Sequence, residues 1–335
     1  MRPWARTVPL LAWGVMLVAP ANAERDEPPP KLQEARAEFV TLGTGGGPLT
    51  RLNRSQPANA VVVGADIYLF DVGDGVQRQM MASGLPLRDV RAIFISHHHI
   101  NHNGDLAPLL ITRWLFSSHE PVPVLGPPGT VAMVVKIAEA YRPTELAPIT
   151  IGGPSKPTIT ASVAGRDLAP TLNQPAVVYE DNSVRVLAVM NTHYHFAPDS
   201  EEGRFARSYS FRIETPQRTF VYTGDTGPSE SLVKLAADAD VLVSEVIDLA
   251  AMDRLLREAR DVPAAALGPM IAHMEQDHLT PAQVGRLATR ANVKRVVLTH
   301  LAPGMDDEPG TTGYLEGLAG TYSGPVSVAH DLDRF

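Results

Sequence analysis

Four of the eleven histidines fall within six positions, in the run Ser96-His97-His98-His99-Ile100-Asn101-His102. The spacing His-x-His-x-Asn-His lets imidazoles from one short loop converge, and imidazole is the commonest protein ligand for zinc. A histidine tract alone is compositional evidence, and a solvated loop with chance metal affinity is the competing account. Here the tract has company. His193 with His195, Asp225, and His300 each follow an apolar, β-branched run, so four strand ends carry side chains of metal-binding type. Core histidines explain such a pattern poorly. The chain has no cysteine, so a metal site must be built from His, Asp and Glu.

The elements that must position these residues can be read in order. Residues 90–95 form a buried strand that delivers the histidine run, and a helix opens at Leu106 after Asn103 and Gly104 break the chain. The histidines therefore sit on a loop held by two rigid elements. Upstream, residues 38–42 make a first strand leading into the glycine-rich stretch 43–48. No helix follows it, so it reads as a tight turn on one rim of the site rather than a phosphate cradle. Residues 60–63 and 67–71 form a hairpin, with a short helix at 76–82. The strand 122–125 is expected at a sheet edge because Pro123 cannot donate to a ladder. A helix spans 130–140, and residues 143–176 read as a long surface excursion.

The second half continues the pattern. The strand 184–190 ends at His193 and His195, and a hairpin of 208–213 with 218–223 leads to Asp225. Ser229 is placed to cap a helix over 230–237. A buried strand at 240–246 precedes a helical stretch, 249–274, broken at Pro263 and at Gly268 and Pro269. Thr280, Pro281 and Gln283 make a capping box for a helix ending at Ala291. A last buried strand, 294–299, ends at His300. Grouped strands with helices between the later ones predict an α/β fold, an αββα sandwich of two mixed β-sheets with helices on the outer faces.

Composition is that of an ordinary globular protein, 44% hydrophobic and 20% charged over 335 residues. Residues 1–23 combine two arginines, an apolar run at 8–19 and the small-x-small site Ala21-Asn22-Ala23, the pattern of a secretory signal peptide. An uncleaved anchor is the alternative. Residues 24–36 are charged and proline-rich and read as a flexible lead-in. The expected location is periplasmic or secreted. Cleavage would leave 27 Lys+Arg against 37 Asp+Glu, a net charge of −10. Nucleic-acid affinity rests largely on basic side chains neutralising phosphates, so nucleic acid is not expected as a partner.

Taken together the motifs resemble the metallo-β-lactamase fold superfamily, over residues 37–335. The resemblance rests on the run from Ser96 to His102, on His193, on Tyr222-Thr223-Gly224-Asp225-Thr226 and on Leu298-Thr299-His300. Within that superfamily the chain is most similar to the branch of ribonuclease Z, arylsulfatase and cyclic-nucleotide phosphodiesterase. Residues 42–48, 70–75 and 208–214 and His278-Leu279-Thr280 carry that narrower likeness. The resemblance implies a hydrolase with one or two Zn2+ ions. His97, His99 and His193 would hold the first, His102 and His300 the second, with Asp225 bridging. His195 rivals His193, and His98 is expected to be no ligand. Two such ions deprotonate a water and stabilise the leaving oxygen. His278 is implied to assist proton transfer to the leaving group. Asp71, Asp74 and Glu245 are candidates to orient ligand histidines.

Two departures matter. Asn101 stands where the family has Asp, and a neutral amide is a poorer ligand, so the second metal is expected to be held loosely. Asp105 stands where related sequences often have glycine. The basic, glycine-rich arm with which ribonuclease Z grips tRNA is not visible. The reading is an exported zinc hydrolase cleaving a small phosphodiester, sulfate ester or related ester, with a homodimer admitted. A lactonase or β-lactam hydrolase, and a metal-binding protein without catalysis, are the alternatives. Asn101, His195 and Asp71 are kept as weak or indirect contributors to the site.

Overall fold

The computed structural model describes residues 36–116, 120–147, 157–259 and 262–335. The stretch 1–23, read above as a signal peptide, and nearly all of the expected lead-in lie outside the described residues. One sheet has the order β1 (Ala37–Gly43), β2 (Ala58–Val63), β3 (Asp66–Val72), β4 (Val90–Phe94), β5 (Val122–Gly126), β6 (Val163–Asp167). The other contains β7 (Ala176–Glu180), β8 (Arg185–Met190), β9 (Tyr209–Glu214), β10 (Thr219–Tyr222), β11 (Val241–Ile247), β12 (Val296–Ala302) and β13 (Val326–Val328), again in spatial sequence. Each sheet is antiparallel over its earlier strands and parallel over its later ones.

The helices are α1 (Val76–Ala82), α2 (Ile100–Asn103), α3 (Leu106–Phe116), α4 (Thr130–Ala140), α5 (Arg142–Leu146), α6 (Glu201–Phe205), α7 (Glu230–Leu235), α8 (Leu249–Glu258), α9 (Ala264–Asp277) and α10 (Pro281–Arg290). Alternation along the strands sorts the apolar residues into layers. Phe70, Phe94, Phe211, Phe220 and Val243 form the core between the sheets. Ile67 and Leu69 face outward onto Met80 of α1 and Leu109 of α3, while Leu242 and Leu298 face Leu235 of α7 and Val284 of α10. The αββα sandwich is thus borne out.

Local signals place most boundaries. The Ser229 hydroxyl accepts from the Leu232 amide at α7, and the Thr280–Gln283 box opens α10. Two expectations are corrected. β5 is an interior strand, paired with β4 on one side and β6 on the other. Pro123 lies one residue before Val124, its first partner row with β4, so the missing N–H costs that ladder nothing. The stretch 249–274 is also two helices, with Pro269 inside α9 rather than at a break.

Candidate metal centre

The C-terminal ends of β3, β4, β8 and β10 meet a bulge in β12 at one side of the sandwich, and the chain turns sharply at three of these places. Asp71 closes β3 at φ 59°, Gly224 follows β10 at φ 57°, and His300 sits in β12 at φ 44°. The register passes from Glu245–Thr299 to Val246–Leu301, so His300 is the extra residue of a bulge. A bulge re-aims its side chain, and here the imidazole turns into the site. At Gly224 a Cβ would lie 2.9 Å from Ser96 Cβ, so only glycine lets the Asp225 turn approach the histidine loop.

Asp225 is the centre of the arrangement. Its Oδ2 lies 3.2 Å from His300 Nε2, 3.3 Å from His102 Nε2 and 3.8 Å from His97 Nε2. His193 Nε2 lies 3.4 Å from His99 Nδ1. The ligand-type atoms form two groups that share the carboxylate, His97, His99, His193 with Asp225, and His102, His300 with Asp225. Nearly all of these side chains are buried. Buried polar atoms are normally paired, yet His97 Nε2, His102 Nε2, Asp225 Oδ1 and His300 Nδ1 have no hydrogen-bond partner. Imidazole nitrogens and one carboxylate without thiolates suit zinc. The residues present fit a metal pair.

Electrostatics agrees with that fit, because a ligand imidazole must be neutral. Burial pushes His193 and His300 down to about 3, and burial with the neighbouring His102 holds His97 well below the usual value. His99 is lowered by burial as well. His102 differs. Burial opposes its charge, but Asp225 and Asp71 outweigh burial and push it up to about 10. Metal binding there would displace a proton. The imidazoles around Asp225, His102 above all, hold its carboxyl well below the usual range despite burial.

The groups behind the ligands are specific. Asp71 is fully buried and accepts from the Ser96 amide, the Ser96 hydroxyl and the Tyr222 hydroxyl, each at 2.7 Å. His102 Nδ1–H donates to the same carboxylate at 2.8 Å, which aims Nε2 at Asp225. His193 Nδ1–H donates to the Asp277 carbonyl at 3.0 Å. His278 Nδ1 lies 2.8 Å from Glu245 Oε2, and Glu245 Oε1 accepts from the Thr226 amide at 2.6 Å. Of the three candidate orienting acids, Asp71 and Glu245 touch the site. Asp74 is exposed, because its turn directs it to solvent.

His193 rather than His195 enters the cluster. The Asn191 side chain binds the Thr223 carbonyl and accepts from the His193 amide, which turns His193 inward. His195 points outward, with Nδ1 donating to Asp277 Oδ1 at 2.7 Å. His98 is also outside, near the Pro128 carbonyl. Asn101 does face the second group, with Nδ2 3.4 Å from His300 Nε2. The glycine-rich stretch lines the same cavity through Gly47 and Pro48. The Gly45 and Gly46 amides are spent on the Ser55 and Leu301 carbonyls, which leaves a rim and not a phosphate cradle. Asp105, unexplained by the sequence, accepts from the Gly75 amide at 2.9 Å and so ties the Asp71 turn to the start of α3. Asp277 went unrecognised, although it stands directly before His278.

A family model described as a beta-lactamase superfamily domain matches residues 67–301. A ribonuclease Z from Mycobacterium bovis is 29% identical over 307 residues, covering 89% of this chain and 97% of its own. Human tRNase Z, short form, superposes with TM-score 0.61 at 22% identity, covering 89% of this chain and 98% of its own. A metallo-beta-lactamase fold protein from Bacillus subtilis gives TM-score 0.62 at 18% identity, over 90% and 99%. These findings correct one expectation. With relatives named ribonuclease Z aligned along most of the chain, the exclusion of nucleic acid in favour of a small-molecule partner does not stand. Net charge averages over a whole surface, whereas a phosphodiester responds to the local field of the site.

Proposed function

This chain belongs to the beta-lactamase superfamily of metal-dependent hydrolases, and from that premise we propose that it is a zinc-dependent phosphodiesterase of the ribonuclease Z type acting on RNA. The observation that carries the reading is the pair of histidine groups sharing Asp225, with His278 on the wall of the same cavity, in a chain whose relatives over 89% of its length are named ribonuclease Z. His97, His99 and His193 would hold one ion with Asp225, and His102 and His300 the other. Bound zinc supplies Lewis acidity and a water ionised near neutral pH.

The chain's own residues do the remainder. Asp71 fixes the ring of His102, and the Asp277 carbonyl fixes that of His193. Glu245 holds Nδ1 of His278, which leaves Nε2 to keep a proton for the leaving oxygen. The outer cavity, about 280 Å3, excludes bulk water on one side with Ile100, Ile247, Met252 and Ala302. Protonation of a departing 3′-oxygen gives a 3′-hydroxyl and a 5′-phosphate, and the ribose 2′-hydroxyl takes no part in the displacement.

The test uses a single-stranded RNA and the same RNA with one deoxyribose at the scissile nucleotide. Both should be cut by the zinc-loaded protein, with 3′-hydroxyl and 5′-phosphate ends by mass spectrometry. Cyclic 2′,3′-phosphate products, or no cleavage of either RNA, would refute the reading. Residues 1–23 are also read as an export signal, and N-terminal sequencing of protein recovered from the periplasm or medium should then begin near Glu24.

A further inference from the structure

Two cavities meet at the metal centre, and they differ in character. The first, described above, is apolar beyond the ligands. The second, about 440 Å3, is lined by Tyr194, His195, Phe196 and His273. His99, Met274 and His278 belong to both walls. A phosphodiester held over Asp225 therefore has one cavity for each of its two ester arms.

A run of ring contacts leads from the ligand group along the second cavity, edge-on or tilted at its inner end and stacked at its outer end. His97 and His193 are 4.7 Å apart between centroids, and Tyr194 follows His193 at 4.7 Å. Phe196 then lies on Tyr194 at 5.4 Å, with planes 23° apart. The inner end of the run is the buried ligand group, and the outer end, Phe196, is 45% exposed. An aromatic that stacks on a neighbouring ring and is still half-exposed, beside the reacting centre, is a platform for a further ring. Single-stranded RNA is gripped in this manner, by stacking of unpaired bases on aromatic side chains.

The flank of the cavity is built as well. Asp277 is buried, and its two carboxylate oxygens take His195 Nδ1 at 2.7 Å and His273 Nε2 at 2.9 Å. These bonds fix both rings and leave His195 Nε2 and His273 Nδ1 for a ligand. Since the same residue's carbonyl holds His193, one short segment sets both the ligand group and the cavity wall.

We propose that the Tyr194–Phe196 stack is a nucleobase subsite for one of the two nucleotides flanking the scissile phosphate, with His195 and His273 bordering its sugar. This rests on the RNA reading above and adds the position at which a base is gripped. Beyond its histidines the first cavity has an aliphatic lining with no Phe, Tyr or Trp, so the two arms of the substrate are held by different means.

The experiment is a cycle between the protein and the base. kcat/KM is measured for wild type, Phe196→Ala and Phe196→Tyr on three RNAs, one intact, one abasic immediately 5′ of the scissile phosphate and one abasic immediately 3′. Phe196→Ala should lower kcat/KM on intact RNA by about 5- to 150-fold, the range for one stacked base. Phe196→Tyr should retain most activity. One of the abasic RNAs should cost wild type a similar factor, and Phe196→Ala should cost nothing more on that RNA. Equal losses for Phe196→Ala on all three RNAs, or no loss on any, overturn the subsite while leaving the RNA reading intact. Failure of wild type to cut any of the RNAs overturns both.

Discussion

His278 Nδ1 and Glu245 Oε2 lie 2.8 Å apart although 33 positions separate them in sequence. The intervening chain forms α8 and α9, which leave the end of β11 and return to the site. Glu245 is fully buried at the end of that excursion's first strand. Despite burial, Glu245 pushes His278 up to about 9. The pairing thus keeps an imidazolium beside the cavity at neutral pH.

A proton donor at His278 makes a prediction about leaving groups. His278→Ala should slow cleavage of unactivated RNA by ~10²–10⁴-fold, the usual loss for a general acid. Cleavage of a p-nitrophenyl phosphodiester, whose leaving group departs without a proton, should fall far less. The acid form is present below about 9 and lost above it, so the RNA rate should fall as pH rises through that value. Glu245→Gln removes the stabilising charge and should move the falling limb toward ~6.5. In stability, the raised His278 contributes fully below ~6.5, and its contribution fades as pH rises toward about 9. pH–rate profiles of the three proteins check this, and superimposable limbs would assign Glu245 to packing alone.

Asn101 leads us to expect two unequal metal positions. Its amide faces His300 where a carboxylate would add charge to the second group. Zinc titration by calorimetry should show a tight site, from three histidines and Asp225, and a weaker one. Asn101→Asp should tighten the weaker site and leave the first unchanged. Two equal sites, unaffected by the substitution, would contradict this.

The site was largely legible because its side chains are consecutive or close to strand ends. His97, His99 and His102 fall within six positions, on the loop after β4 and the short α2 that follows it, and Asp225, His193 and His300 each follow an apolar run. What escaped is long-range. The second strand beside β5 comes from residues 163–167, inside the stretch 143–176 that reads as a surface excursion because it has little periodicity. Asp277 and Asp105 act on groups 84 and 30 positions away, and nothing in local spacing marks such a partner. His195 and His193 share a loop and a residue type, and the contacts with Asn191 and Asp277 separate them.

Asp71 organises the loop more than it touches substrate. Asp71→Ala leaves the Ser96 amide and hydroxyl, the Tyr222 hydroxyl and His102 Nδ1 without their acceptor. At ~1–3 kcal/mol for each buried unsatisfied group, metal-free protein should lose ~3 kcal/mol or more in denaturant unfolding. Zinc affinity should fall by ~10–100-fold, as is usual when a ligand histidine loses its orienting partner. Unchanged stability and affinity would show that the four hydrogen bonds are not needed.

Salt should matter little to RNA binding. Among the described residues, neither cavity is lined by a lysine or arginine, and the chain carries a net charge of −8. Each single-strand phosphate neutralised contributes ~0.7 to the slope of log K against log salt. The expected slope is below ~2 by fluorescence anisotropy of labelled RNA. A steep slope would place a basic surface outside the two cavities.

The most direct test of the account joins metal content to turnover in a single sample. Zinc is quantified and RNA cleavage measured on the purified protein, again after chelation, and again after zinc is restored. Cleavage should vanish with the metal and return with it, and Asp225→Ala should abolish both stable zinc binding and cleavage. Full cleavage by protein shown to be free of metal, or by Asp225→Ala, would contradict the account.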